Sequence, residues 1–258
     1  MEHRSIWRAA TDPMGGATAE LELARPGKRR VTGAVWLPAP AQPARALIVL
    51  GHGASGDRYQ RPIPHLARRF VNEAGCAALA MDGPVHGLRQ VGPGGRAALR
   101  GELERPTCVD DMVDDWHAAI AEAQKLDVIG HVPIAYFGLS MGSIFGIPLL
   151  ASRTDVRVAT IGLLGATGAV SILGTRLLTD AARVVCPLLF LMQLEDELFD
   201  RTGYLALFDA LGSTDKRLHA NPGMHPEVPA EEVDFAFDFM HARLEADVPR
   251  RIVNPLAT

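Results

Sequence analysis

Three short stretches of this chain carry residue types that together perform acyl chemistry. The first is Gly138-Leu-Ser-Met-Gly142, a serine with a glycine two positions to either side. A serine hydroxyl is a weak nucleophile until a neighbouring base takes its proton. It is best presented on a sharp strand-to-helix turn, whose strained backbone leaves no room for larger neighbours; that is the physical content of the G-x-S-x-G pattern. The apolar run ending Ala135-Tyr-Phe precedes it and Met-Gly-Ser-Ile-Phe follows, so the context is strand, turn, helix. The bland alternative, Ser140 as a helix N-cap, leaves the flanking glycines unexplained. Ser143, one turn further on, is expected to be of little consequence.

The second stretch, Glu195-Asp-Glu197, ends the apolar run Pro187–Leu194. The third, Asn221-Pro-Gly-Met-His225, follows a weaker strand at Lys216–Ala220 and precedes the last helix. The order serine, carboxylate, histidine suits a triad on a parallel sheet, with one or two helix–strand units between members. His225 is then the base and Asp196, the short side chain in mid-loop, the carboxylate that orients it. Glu195 and Glu197 stay open as alternatives, because sequence does not fix the direction of a loop. His219 is the rival base, but it lies within a strand. His52 and His86 adjoin glycines in loops and are read as shaping a pocket, with no ligand pattern for a metal.

Gly51-His-Gly-Ala-Ser-Gly56 also fits G-x-G-x-x-G, and Asp82 ends the next strand where a ribose-binding acid would stand. A dinucleotide site needs a helix N-terminus inside the motif. Here Pro62 and Pro64 delay the helix, and two strands already precede this one. A nicotinamide-binding oxidoreductase is therefore a minor reading. Gly162, Gly165 and Gly168 read as a loop over the sheet edge.

These residues need a sheet to hold them. Ala17–Ala24 and Arg30–Leu37 alternate apolar and polar residues and predict an antiparallel pair turning at Pro26-Gly27. Wholly apolar runs follow at Ala46–Leu50, Gly75–Met81, Val132–Leu139, Val156–Leu164 and Pro187–Leu194, as buried parallel strands look. Helices are predicted at Pro64–Ala74, Thr107–Leu126, Met141–Ser152, Thr202–Leu211 and Ala230–Glu245. Thr107 and Asp110 suggest a capping box, and Asp111, Asp114 and Asp115 a solvated helix face. The segment from Gly83 to Pro106 reads as a mobile polar loop, with Arg89, Arg96, Arg100 and Arg105 as solvated charges. Residues 165–186 have room for one helix. The pattern predicts an α/β fold with a mostly parallel central sheet, an antiparallel N-terminal strand pair, helices on both faces and no large cap domain.

The 258 residues are 48% hydrophobic and 22% charged, with 26 basic against 30 acidic side chains and a net charge of −4. That excludes disorder and coiled coil, and it offers no basic footprint for nucleic acid. Three widely spaced cysteines make no disulfide framework or thiolate metal site, which suits a reducing cytoplasm. The first thirteen residues lack the apolar centre of a signal peptide. Val132–Ser152 is uncharged and long enough to cross a bilayer, but its glycines, serines and proline read as a buried strand turning into a helix. One domain is expected over 1–258, its core about 17–246, with short tails.

Taken together, Arg30–Pro38, Gly51-His-Gly53, Asp82-Gly-Pro-Val-His-Gly87, Gly138–Gly142, Glu195–Phe199 and Gly223-Met-His225 resemble the α/β-hydrolase superfamily, in its dienelactone hydrolase-like and serine esterase branch, over roughly residues 30–245. The resemblance implies that the His-Gly pair forms an oxyanion loop, with the backbone N–H groups of Ala54 and Met141 as donors. Dienelactone hydrolases use a cysteine nucleophile, so Ser140 favours a serine esterase. The expected activity is hydrolysis of small-molecule carboxylic esters with short or compact acyl groups, through an acyl-enzyme and without cofactor or metal. Peptidase or thioesterase activity on the same triad, or a non-catalytic binding module, are the alternatives. No nucleic-acid or membrane partner is expected, and the oligomeric state is not readable.

Overall fold

The structure, a computed structural model, describes residues 4–39 and 42–245. Its strands are β1 (Arg4–Thr11), β2 (Ala17–Ala24), β3 (Val31–Trp36), β4 (Leu47–Gly51), β5 (Ala77–Met81), β6 (Ile134–Leu139), β7 (Val156–Gly162), β8 (Leu188–Gln193) and β9 (Lys216–Asn221). Its helices are α1 (Ile63–Ala74), α2 (Gly95–Leu103), α3 (Cys108–Ala123), α4 (Met141–Ala151), α5 (Gly174–Ala181), α6 (Arg201–Ala210) and α7 (Ala230–Glu245). The strands form one sheet in the order β1-β2-β3-β5-β4-β6-β7-β8-β9. β1, β2 and β3 run antiparallel to their neighbours, β3 meets β5 antiparallel, and every pairing from β5 to β9 is parallel.

The apolar runs became strands because both their faces are covered. Successive residues of a strand point to opposite faces. In β4, Ile48 and Leu50 pack with Phe70 of α1 and Phe237 of α7. Leu47 and Val49 pack on the other face, in the core that holds Trp116 of α3, Phe145 of α4, Leu177 of α5 and Leu207 of α6. The chain leaves β4 for β5 on one side and later returns with β6 on the other. That reversal makes the carboxyl ends of β4 and β6 a topological switch point, the crevice in which open α/β sheets bind ligands. Gly51 and Gly138 lie level there in the register.

Four sequence expectations need correction. Residues 4–11, read as part of a tail, form β1, paired along its whole length with β2; the C-terminal tail lies outside the described residues. The segment from Gly83 to Pro106 is not simply a loop: a 3-10 turn spans Gly87–Arg89 and α2 follows. Thr107 makes no side-chain cap; its hydroxyl donates instead to Asp111, 2.8 Å away. Asp115 is buried rather than solvated, ion-paired with Arg25 and with the equally buried Arg89, so the Arg89 guanidinium is a structural group. The stretch Val132–Ser152 divides into β6 and α4, and no described helix is long and apolar enough to cross a membrane.

Candidate active site

Ser140 sits between β6 and α4 with φ 57° and ψ −118°, a conformation that a non-glycine residue holds only under strain. The surroundings enforce it. A Cβ on Gly142 would lie 2.6 Å from the Gly51 carbonyl oxygen, and one on Gly138 2.7 Å from the Tyr136 hydroxyl. That hydroxyl in turn donates to Gly142 O at 2.6 Å, and the Ser140 N–H donates to Gly162 O at 3.0 Å. Ser143, expected to matter little, is fully buried: its hydroxyl lies 2.7 Å from both Gly138 O and Gly162 O and accepts from the Gly162 N–H at 2.8 Å. It ties the turn to β7.

The loop after β9 brings His225 over the serine. Its Nε2 lies 2.9 Å from Ser140 Oγ, and its Nδ1 lies 2.7 Å from Asp196 Oδ2. The loop after β8 supplies all three consecutive carboxylates, each with its own contact. Asp196 faces the imidazole, Glu195 accepts the Gly223 N–H, and Glu197 accepts the His225 N–H at 2.9 Å. The neighbours of Asp196 thus brace the backbone of the histidine loop. Gln193, at the end of β8, adds a bond to Glu227 O at 2.7 Å. His219 is elsewhere, with Nδ1 2.9 Å from Glu232 and its ring against Phe235.

The Asp196 side chain is almost fully buried, which by itself raises its pKa. The Tyr204 hydroxyl, His225 and the N–H groups of Leu198 (2.8 Å) and Phe199 (3.1 Å) outweigh that and hold the carboxyl below its ordinary value. Asp196 therefore stays ionised and can stabilise an imidazolium beside it. Burial and the neighbouring carboxylate push the Tyr204 phenol up, so it remains a donor. Tyr204 was not foreseen; it lies on α6, eight residues after the acid, and only the packing of that helix turns it back.

Ser140 and His225 lie in a cavity of about 990 Å³, which Ala54 and Met141 also line. The Met141 N–H opens α4, among the donors that a helix leaves without an internal partner. The cover is α2, through Arg96, Leu99, Arg100 and Leu103, and Val170 and Ile172 line the cavity as well. The Gly51–Gly56 stretch does not open a helix, since α1 begins only at Ile63. Asp82, fully buried, binds the Arg58 guanidinium at 2.8 Å, the Thr32 hydroxyl at 2.6 Å and the Leu88 N–H at 3.1 Å. No carboxylate is left there for a ribose.

A comparison with protein-family models matches none. The native structure of a cold-adapted esterase from an Arctic intertidal metagenomic library superposes with a TM-score of 0.77 at 31% identity, covering 93% of this chain and 100% of that one. Acetyl xylan esterase from Paenibacillus sp. R4 superposes with a TM-score of 0.73 at 17% identity, over 94% of this chain and 90% of that one, a likeness of fold alone. The quorum-quenching protein AidA of Acinetobacter baumannii (strain MDR-ZJ06) is 33% identical over 118 residues, 46% of this chain. The match spans about a third of that relative's length, 34%. A likeness at 31% identity that runs the whole length of an esterase, on this sheet order, makes the chain a member of the α/β-hydrolase superfamily.

Proposed function

We propose that this protein is a serine hydrolase of carboxylic esters with short or compact acyl groups. The observation that carries the reading is the unbroken run of hydrogen bonds from Ser140 through His225 to Asp196, on a strained turn at the floor of a cavity. Ser140 Oγ attacks the ester carbonyl while His225 Nε2 takes its proton, and Asp196 holds the ring by Nδ1–H and stabilises its charged form. The backbone N–H groups of Ala54 and Met141 receive the oxyanion. The alcohol leaves with the proton from His225. Water, deprotonated by the same nitrogen, then releases the acid. Every step is served by side chains and backbone of this chain.

The compact acyl group follows from the cover. Arg96 and Arg100 of the nine-residue α2 and the short 3-10 turn at Ser171–Leu173 line the cavity, and polar groups in its wall favour a compact acyl group over a long chain. Labelling with a fluorophosphonate followed by peptide mapping tests class and nucleophile together. Modification at Ser140, slowed when excess p-nitrophenyl butyrate is present, supports the reading. Labelling elsewhere, or none, sinks it. Rates on p-nitrophenyl esters are expected to peak between acetate and butyrate; a maximum at palmitate overturns the substrate part.

A further inference from the structure

Among the described residues, three that are not glycine have positive φ: Ser140, Leu163 at 49° and Val85 at 57°. Leu163 and Ser140 both line the cavity. Val85 is the third, and for a β-branched residue this conformation is a true outlier that persists only where the surroundings over-determine it. It immediately precedes His86. That ring is buried, with Nε2 3.0 Å from Ala54 O and Nδ1 2.7 Å from Pro84 O.

A second imidazole works on the same residue from the other side. His52 Nδ1 lies 2.8 Å from Gly53 O, and its Nε2 accepts the Gly83 N–H at 2.8 Å, which fixes Nδ1 as the donor. Gly53 O and the Ala54 N–H belong to one planar trans peptide, so holding the carbonyl sets the direction of the N–H. His86 holds the next carbonyl along. The two rings meet edge to face with centroids 5.5 Å apart. The loops they join, after β4 and β5, leave adjacent parallel strands level at Gly51 and Met81. Gly83 itself abuts Met141, because a Cβ there would fall 3.3 Å from the methionine sulfur.

We infer that His86 is a positioning residue of the oxyanion site. With His52 it clamps the carbonyls on either side of Ala54, so that the Ala54 N–H points into the cavity before substrate arrives. The strain at Val85 aims the ring at its target. This rests on the esterase reading, because the clamp matters only if an oxyanion forms beside Ser140. Pre-aligned donors cost no reorganisation as charge develops, whereas a misplaced donor loses much of its effect on the transition state alone.

The test compares wild type, His86→Phe, His86→Gln and His86→Asn on p-nitrophenyl butyrate, with a phenylboronic acid as mimic of the tetrahedral adduct. His86→Phe keeps a ring and loses both ring nitrogens; kcat is expected to fall about tenfold to a hundredfold with KM within a factor of two. Boronate affinity should weaken by a similar factor. Glutamine places an N–H near the position of Nε2, asparagine near that of Nδ1, so His86→Gln should recover most of kcat and His86→Asn little. A folded His86→Phe with kcat within twofold of wild type overturns the inference. If His86→Phe does not fold, equal kcat in the Gln and Asn variants, or the reverse order, overturns it as well. A wild-type protein that turns over no ester and takes no label at Ser140 fails the esterase reading first, and the clamp falls with it; an active wild type with an indifferent His86→Phe removes the clamp alone.

Discussion

The floor of the cavity and its cover are built on opposite principles. On the floor the polar groups around Ser140 are closely partnered: Asp196 receives four donors, Ser143 spans two strands, and three consecutive carboxylates hold one histidine loop. The cover is looser. Helix α2 is entered through Gly92, Gly94 and Gly95, all with positive φ, and Arg96 and Arg100 make no ion pair with any described residue. Arginines elsewhere are mostly matched to carboxylates, as Arg58, Arg89 and Arg243 are. A rigid floor suits chemistry, where fractions of an ångström count. A cover with few fixed partners suits admission and release.

The sharpest test of the floor is Ser140→Ala. Its activity should fall at least ~10³-fold, the scale on which triad losses act, while thermal unfolding stays close to wild type. Turnover retained above about 1% would contradict the assignment of the nucleophile. The floor should also betray itself by pH. Burial pushes His52 down from its ordinary 6.5 to about 4, so the folded protein resists a proton that the unfolded chain accepts. The stability this group contributes is complete above pH 6.5 and is lost progressively as pH falls towards 4. Denaturant unfolding at pH 7, 5.5 and 4.5 should show that slope, reduced in His52→Gln. An unchanged slope would show that His52 is not the group responsible.

Ser143→Ala follows. A fully buried hydroxyl that accepts the Gly162 N–H leaves that donor unsatisfied when removed, at a cost of about 1–3 kcal/mol in unfolding free energy. A loss under about 0.5 kcal/mol would mean that the turn is held without it. Tyr204→Phe is milder. Asp196 keeps His225 and two backbone donors, so kcat should fall about tenfold, equivalent to one hydrogen bond to a charged group. KM should hold, because the phenol never meets the ester.

How far the sequence reached differs along the same line. The strands β4 to β8 and the turn at Ser140 were legible because both signals are local: apolar runs bounded by glycine, and small residues at fixed spacing around one serine. The positions of Asp196 and His225 followed from strand order. Among three adjacent carboxylates the shorter side chain in mid-loop pointed to Asp196, but Glu195 and Glu197 stayed open, since a one-residue change of loop direction decides which faces the imidazole. Tyr204 and Ser143 are announced by no local pattern, and His86 stands out in the sequence only as a pocket-shaping residue beside a glycine, because its bond to Ala54 O joins positions 32 apart. α2 was missed for a different reason. Its glycines and arginines look like loop composition, and only the burial of Leu99 and Leu103 against the cavity makes it a helix. β1 was missed because short runs such as Ser5-Ile-Trp7 show little alternation, and its order comes from pairing with β2.

The smallest effect is predicted for the cover. Arg96 and Arg100 lie one turn apart on α2, both exposed and both lining the cavity, beside the buried Leu99 and Leu103. Exposed guanidiniums contribute little to stability, and surface substitutions away from fixed contacts stay within about 0.5 kcal/mol. If the cover only admits substrate, the double variant Arg96→Gln/Arg100→Gln should leave kcat on p-nitrophenyl acetate unchanged and move KM by no more than about threefold, the rate-free share of uniform binding. The preference for acetate to butyrate should persist, because the leucines and the short 3-10 turn still bound the cavity. A tenfold fall in kcat would instead join α2 to the floor, and the division between a fixed site and a loose cover would have to be redrawn with the helix on the catalytic side.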